Sequence, residues 1–160
     1  MPSLIARARG AHDIFALVCN KLQSVLLLLI RLYWGWQLAE DGWGKLHHLD
    51  RVSEYFATLH MPMPAQTALF VSIVELVGGI TLAIGLFTRL TALVLFINMT
   101  VAFLAAESDA FFAVISNPDK FQGASAYNDW FAVLLILILG PGLFAIDTLL
   151  GRGKQNAWKQ

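Results

Sequence analysis

Charge is scarce in this chain: 14% of its 160 residues are Asp, Glu, Lys or Arg, against 58% apolar, and mean hydropathy is +0.64. So little polar material cannot coat a water-soluble globule of one small domain, so lipid is the expected surroundings. The single cysteine, Cys19, rules out an internal disulfide and a paired-thiol relay, and reads as a small apolar residue. No histidine falls inside a long apolar run, which leaves haem or copper centres in a bundle core without ligands. The phosphate-cradling loop, the dinucleotide fingerprint, the HExxH zinc motif and the Gly-x-Ser-x-Gly nucleophile elbow are missing too. Lys plus Arg and Asp plus Glu number 11 each, so net charge is zero and nucleic acid is not an expected partner.

Long apolar runs are what the chain does have. A bilayer-spanning helix needs about 20 residues, and stretches 22–40, 66–87, 90–106 and 128–149 each qualify. The predicted fold is therefore all-α, a polytopic membrane four-helix bundle. Residues 1–21 form a cytoplasmic or interfacial N-terminal segment, 22–150 the membrane domain, and 151–160 a polar tail expected to fray. The segment Ile14 to Cys19 is too short an apolar core for a signal peptide, and cleavage is not expected.

Basic residues set the predicted orientation. Arg7, Arg9 and Lys21 precede the first span, Arg89 lies between the second and third, and Arg152, Lys154 and Lys159 follow the fourth. That face is expected to be cytoplasmic, with both termini inside and the protein in the inner membrane. The opposite loops hold most acidic residues, and Trp34, Trp36, Trp43, Tyr127 and Trp130 mark the outer headgroup layer.

Three strong polar residues interrupt the spans: Arg31, Glu75 and Asn98. Ionisable side chains inside a membrane pair with one another and mark a working site by default. Counting about 1.5 Å per residue from the expected span ends puts all three roughly 13 Å below the outer surface. Antiparallel neighbours would then join Arg31 to Glu75. Small residues share their helical stripes, Ser24 and Gly35 with Arg31, and Ser72, Gly78, Gly79 and Gly85 with Glu75, so these faces are expected to point inward. The bland alternative is a polar clamp that fixes bundle register without chemistry.

The outer linkers carry structure of their own. Within 43–60, Leu46, Leu49, Val52, Phe56 and Leu59 recur at spacings of three and four, which predicts an amphipathic helix lying on the interface in the first outer loop. Phe111 to Ile115, ended by Asn117-Pro118-Asp119, reads as a short piece folded back over the mouth. Gly140-Pro141-Gly142 should kink the fourth span.

Taken in order, Arg31 with Gly35, Asp41-Gly42-Trp43-Gly44-Lys45-Leu46, Met61-Pro62-Met63-Pro64, Glu75-Leu76-Val77-Gly78-Gly79, Gly85-Leu86-Phe87-Thr88-Arg89, and Gly140-Pro141-Gly142 with Asp147 resemble the DoxX family of small four-span membrane proteins. The similarity covers residues 22–150. It implies an inner-membrane bundle, and some members are subunits of quinone-linked systems such as terminal quinol oxidase or thiosulfate:quinone oxidoreductase. Membership alone does not fix an activity. Among the matching positions the glycines read as packing residues, Arg31 and Glu75 as the functional pair, Lys45 and Arg89 as interface anchors, and Asp147 as a structural partner of Arg152.

The leading functional expectation is an accessory, quinone-interacting subunit of a membrane oxidoreductase. A quinone head needs an apolar slot with donors to its carbonyls, for which Arg31, Asn98, Tyr33, Trp34 and Trp130 are candidates, with Glu75 as proton relay. The other reading is a non-enzymatic binder or carrier of a small apolar or anionic molecule. Other membrane or redox subunits, or further copies of the chain, are the expected protein partners, and no covalently bound cofactor is expected. His47, His48, His60, Met61 and Met63 suggest soft-metal handling on the outer face, yet their spacing does not converge and interfacial roles fit them better. His12 stands apart and is expected to be exposed.

Overall fold

The computed structural model describes the backbone of residues 4–157 and the side chains of Phe15, of 17–19 and of 21–151. Expectations resting on the side chains of Arg7, Arg9, His12, Arg152, Lys154 and Lys159 lie outside the described residues.

The chain folds as α1 (Leu4–His47), α2 (Leu49–Thr58), α3 (Pro64–Ile84), α4 (Thr88–Phe111), a 3-10 turn (Phe112–Val114), α5 (Pro118–Gln122), α6 (Tyr127–Leu139) and α7 (Ile146–Ala157). No strand occurs among the described residues. Helix α1 packs on α3, α3 on α4, α4 on α6, and α6 closes the ring against α1. This is the expected all-helical bundle. The segments Leu17–His47, Pro64–Ile84 and Thr88–Val114 are long and apolar enough to cross a membrane, and Tyr127–Leu139 is a shorter apolar helix beside them.

The distribution of side chains is inverted relative to a water-soluble protein. Arg31, Ser72, Glu75 and Thr88 are fully buried, whereas Leu29, Phe70, Val77 and Ile138 each leave half or more of their surface exposed. Only a hydrocarbon surrounding makes that arrangement favourable, because every polar group must be satisfied inside. A core of Leu38, Leu82, Leu95, Met99, Val133 and Ile136 fills the bundle centre. Phe103 anchors a second cluster with Phe111, Phe121, Tyr127 and Trp130 toward the α2 end.

Helix ends follow local chemistry. Pro64 opens α3, and Gly85 closes it in the left-handed region at φ 74°, where its N–H bonds to Leu82 O and that of Leu86 to Thr81 O. That paired geometry is the Schellman stop, which a glycine adopts without a Cβ clash. Helix α4 starts three residues later with no capping side chain of its own. Asp147, from α7, supplies the cap: its Oδ1 accepts from Phe87 N at 2.7 Å, and its Oδ2 from Thr88 N at 2.7 Å and Thr88 Oγ1 at 2.8 Å.

Four expectations change. The N-terminal segment and first span form one 44-residue helix that runs past position 40 to His47, because nothing in 22–46 breaks it. The amphipathic helix of the first linker is present but spans only Leu49–Thr58, since 43–47 belong to α1. The fourth span is more than kinked. Gly140 (φ 84°) and Gly142 (φ 71°) take conformations foreign to a helix, and Pro141 between them lacks an N–H, so α6 ends after 13 residues and helix resumes at Ile146. The tail expected to fray continues α7 as far as Ala157.

Candidate functional site

The α1–α3 contact fixes what meets what. A Cβ added at Gly35 would lie 2.7 Å from Gly79 O, and one at Gly79 would lie 2.5 Å from Gly35 O and Ala39 N. Gly42 abuts the α3 backbone at Ser72 and Leu76 in the same way. These backbones touch because a glycine on at least one side of each contact omits the Cβ, the close approach typical of membrane helix pairs. The antiparallel register that results sets position 75 opposite 41, and position 31 opposite 85.

Glu75 accordingly does not face Arg31. Its carboxylate, on a residue 1% exposed, pairs through Oε2 with the Lys45 ammonium one helical turn beyond Asp41, and accepts from Asn98 Nδ2 through Oε1 at 3.3 Å. The expected Arg31–Glu75 pair is corrected by this register. The assumed outer end of the first span was about seven residues too early, so the three polar residues do not share one layer. Lys45 lies 14 residues beyond Arg31, about 21 Å along the same helix.

Arg31 serves the other end of the bundle. Its guanidinium is buried against Gly85, where any Cβ would strike Nη1, and Nη2 donates to Phe144 O at 2.7 Å. Among the described residues Nε and Nη1 have no hydrogen-bond partner, and the facing negative charge is Asp147. Burial alone would raise the Asp147 carboxyl. Hydrogen bonds from Thr88 and Phe87, with the Arg31 charge, hold it below the ordinary aspartate value. Asp147 thus ties α7 to the α3–α4 corner; the side chain of Arg152, its expected partner, lies outside the described residues. Arg89 packs its guanidinium over Gly140, 3.2 Å from where a Cβ would stand.

A cavity of about 430 Å³ opens beside Glu75. Lys45, Glu75 and Asn98 sit in its wall with Asp41 and Asp129, and the apolar side chains of Val52 and Phe56 from α2 and of Leu59 just after it also line it. Small α4 residues Ala102, Ala105 and Ala106 leave the space open. Val101, also in the wall, is 47% exposed on the bundle's outside, so the cavity reaches the lipid-facing surface. Asp129 Oδ1 is buried there without a hydrogen bond from any described residue. The refolded 107–126 segment closes the adjacent end: Glu107 leaves helical geometry at φ −140°, and its Oε2 accepts from Ser125 N at 3.0 Å.

Of the residues singled out in the sequence, Glu75 and Asn98 meet at this cavity, while Arg31 and Trp34 do not reach it. Trp34 packs edge-on to Tyr33. Trp130 donates to Thr100 Oγ1 at 2.9 Å and stacks within the Phe103 cluster. Sequence reasoning missed Lys45, Asp41 and Asp129 as site residues. The Gly35, Ala39 and Gly42 stripe, matched to Gly79, was the signal that could have set the register. The soft-metal candidates stand apart. His47 Nδ1 lies 2.9 Å from Trp43 O, His48 forms the α1–α2 junction, His60 and Met63 adopt positive φ, and only Met61 lines the cavity. No group of three or more His, Cys, Asp or Glu able to hold a metal occurs among the described residues.

Apolar spanning helices, an inverted surface and an ion pair inside define a polytopic helical membrane protein with an internal polar cavity. Comparison with known proteins narrows this further. The DoxX family model matches residues 26–108, and the chain belongs to that family. It is similar to inner membrane protein YqjF of Escherichia coli (strain K12), 30% identical over 134 residues that make up 83% of this chain and 98% of that protein. Inner membrane protein YphA of the same organism is 30% identical over 131 residues, 78% of this chain and 90% of its own. No solved structure matches.

Proposed function

We propose that this protein is an inner-membrane binding subunit whose cavity takes the head of a lipid-soluble molecule, with quinones as the class its chemistry fits best. One observation carries the reading: an apolar chamber of about 430 Å³ that is reached from the lipid side and contains an ammonium, an amide and carboxylates together. A pocket of this size with few, convergent polar groups suits a small apolar ligand held by its polar end. Lys45 and Asn98 present donors for two carbonyl oxygens, and Glu75, held between them, stands ready to pass a proton. In a quinone-linked system the electrons come from a partner subunit, and this chain binds, orients and protonates. The inner-membrane placement follows the names of the two relatives.

A carrier role without electron transfer is the second reading. It is favoured by Asp129, whose unpartnered Oδ1 calls for a donor on the ligand. Three carboxylates face Lys45 and Arg51 in the wall, an acidic balance that disfavours an anionic cargo.

The test uses the purified protein in lipid nanodiscs with a short-chain ubiquinone analogue. Saturable binding is expected, weakened about tenfold or more by Lys45→Met, the loss that follows from removing a charge-assisted hydrogen bond. Absence of saturable binding, or equal affinity in Lys45→Met and Asn98→Leu, would overturn the quinone reading.

A further inference from the structure

Helices α3 and α4 are in contact toward one end and apart toward the other. Leu95 packs directly on Gly78, where an added Cβ would lie 2.8 Å from Leu95 Cδ2, and Leu82, Ala92 and Leu95 are fully buried along that stretch. Nearer the α2 end, Asn98 Nδ2 to Glu75 Oε1, at 3.3 Å, is the only hydrogen bond joining the two helices among the described residues. Past that level the cavity separates them, with Val71 in its wall from α3 and Val101, Ala102 and Ala105 from α4. Their other flanks stay shut at the same height. On α3, Ala68 and Ser72 are fully buried, and Gly42 of α1 lies against the Ser72 carbonyl. On α4, Phe103 is fully buried among aromatic rings, and Thr100 Oγ1 accepts the Trp130 indole N–H. The residues at the lips of the gap are bare instead: Phe70, beside Val71, is 65% exposed and Val101 47%. Ile73 and Ile97 near them are also exposed, so hydrocarbon stands in front of the opening.

We propose that this gap is a lateral portal filled, in the bound state, by the chain of the ligand, and that Val101, Ala102 and Ala105 select molecules whose polar head ends a single flexible apolar chain. The inference rests on the quinone-type reading of the cavity and adds where the rest of the molecule lies. A chamber of about 430 Å³ takes a ring with its substituents, whereas a chain long enough to hold a molecule in the bilayer has to remain outside. Along α4, Ala102 stands about 6 Å and Ala105 about 10 Å from the level of Asn98. Their methyl groups leave the way from the polar pair to the lip clear, and Val101 is the lip. A larger side chain at any of the three would meet the bound chain. Chain length beyond the lip is free to vary, because lipid and not protein surrounds it there. Compact polar solutes are excluded, since they would have to cross hydrocarbon to reach the opening.

The experiment compares two ubiquinone analogues in nanodiscs, one with a decyl chain and one with none. Val101→Trp fills the lip, and it is expected to weaken binding of the decyl analogue more than that of the chainless one, by a factor of about ten or more. Ile138→Trp, on the exposed side of α6, is expected to weaken neither. Equal effects of Val101→Trp on both analogues, or none on either, would overturn the portal. A second measurement needs no quinone. With the exposed Cys19 replaced by Ser, Ala105→Cys is offered a maleimide carried on a long acyl chain in vesicles. Labelling from the lipid is expected, slowed about tenfold or more once Val101→Trp is added. Absence of labelling, or a rate indifferent to position 101, would overturn the proposal. Labelling with the expected pattern in a protein that binds neither analogue would keep the portal and remove the quinone reading, and quinone binding without that pattern would do the reverse.

Discussion

Replacing Lys45 by Met separates the two pairings that the first hairpin could have made. Glu75 is buried and receives one hydrogen bond from Lys45 and a longer one, at 3.3 Å, from Asn98. Removing one partner of a buried pair costs roughly 3–5 kcal/mol, because the remaining charge is uncompensated. Lys45 keeps 33% of its side chain exposed and Asn98 still serves Glu75, so the lower end applies, about 3 kcal/mol. Removing both charges with Lys45→Met and Glu75→Leu deletes the orphan, so the double variant is expected to lose only about 1 kcal/mol. The coupling between the positions is then of order 2 kcal/mol or more. Equilibrium unfolding in mixed dodecyl sulfate micelles measures all three variants. The same cycle built from Arg31→Met and Glu75→Leu should be additive within about 0.5 kcal/mol, because those residues share no partner. Strong coupling of Glu75 to Arg31 and none to Lys45 would refute the register.

The glycine seam and the α4 cap carry further expectations. Gly79→Val must force apart two backbones already in contact, and about 2 kcal/mol or more of stability should be lost. Gly44→Ala, in open space, should cost nothing, and equal melting temperatures for the two variants would contradict the packing account. Asp147 lies outside the spanning helices, and its folded carboxyl is held below the ordinary aspartate value. Its contribution is therefore complete at pH values above about 4 and is lost as pH falls through the lowered folded value. Asp147→Asn should remove that acid limb from a plot of stability against pH, and an unchanged limb would assign it to other groups.

Much of the bundle was legible because hydropathy and length speak for themselves in lipid. The runs containing Glu75 and Asn98 could hardly be anything but spans, and burial of Arg31 followed from the same reasoning. Their partners were harder to read, since depth was counted from assumed span ends. The polar end of α1, from Asp41 to His47, was read as the start of a linker with its own interfacial helix, and in the structure it continues the first span. That misjudgement moved Arg31 toward Glu75 and left Lys45 among the interface anchors. Asp129 was hidden for another reason: it lies at the start of a span, where an acidic residue is ordinary. Gly140-Pro141-Gly142 signalled a break plainly, but its size depended on Phe144 and Asp147 finding partners on α1 and α4, contacts no local pattern reports.

The early end of α6 leaves the ring of helices uneven in height. Thirteen residues rise about 20 Å, some 10 Å less than typical hydrocarbon thickness. On that flank, acyl chains meet peptide groups sooner than they do beside α3 or α4, and the adjoining leaflet has to dip or tilt to follow. A dent on one side only gives the molecule a front and a back in the plane of the bilayer.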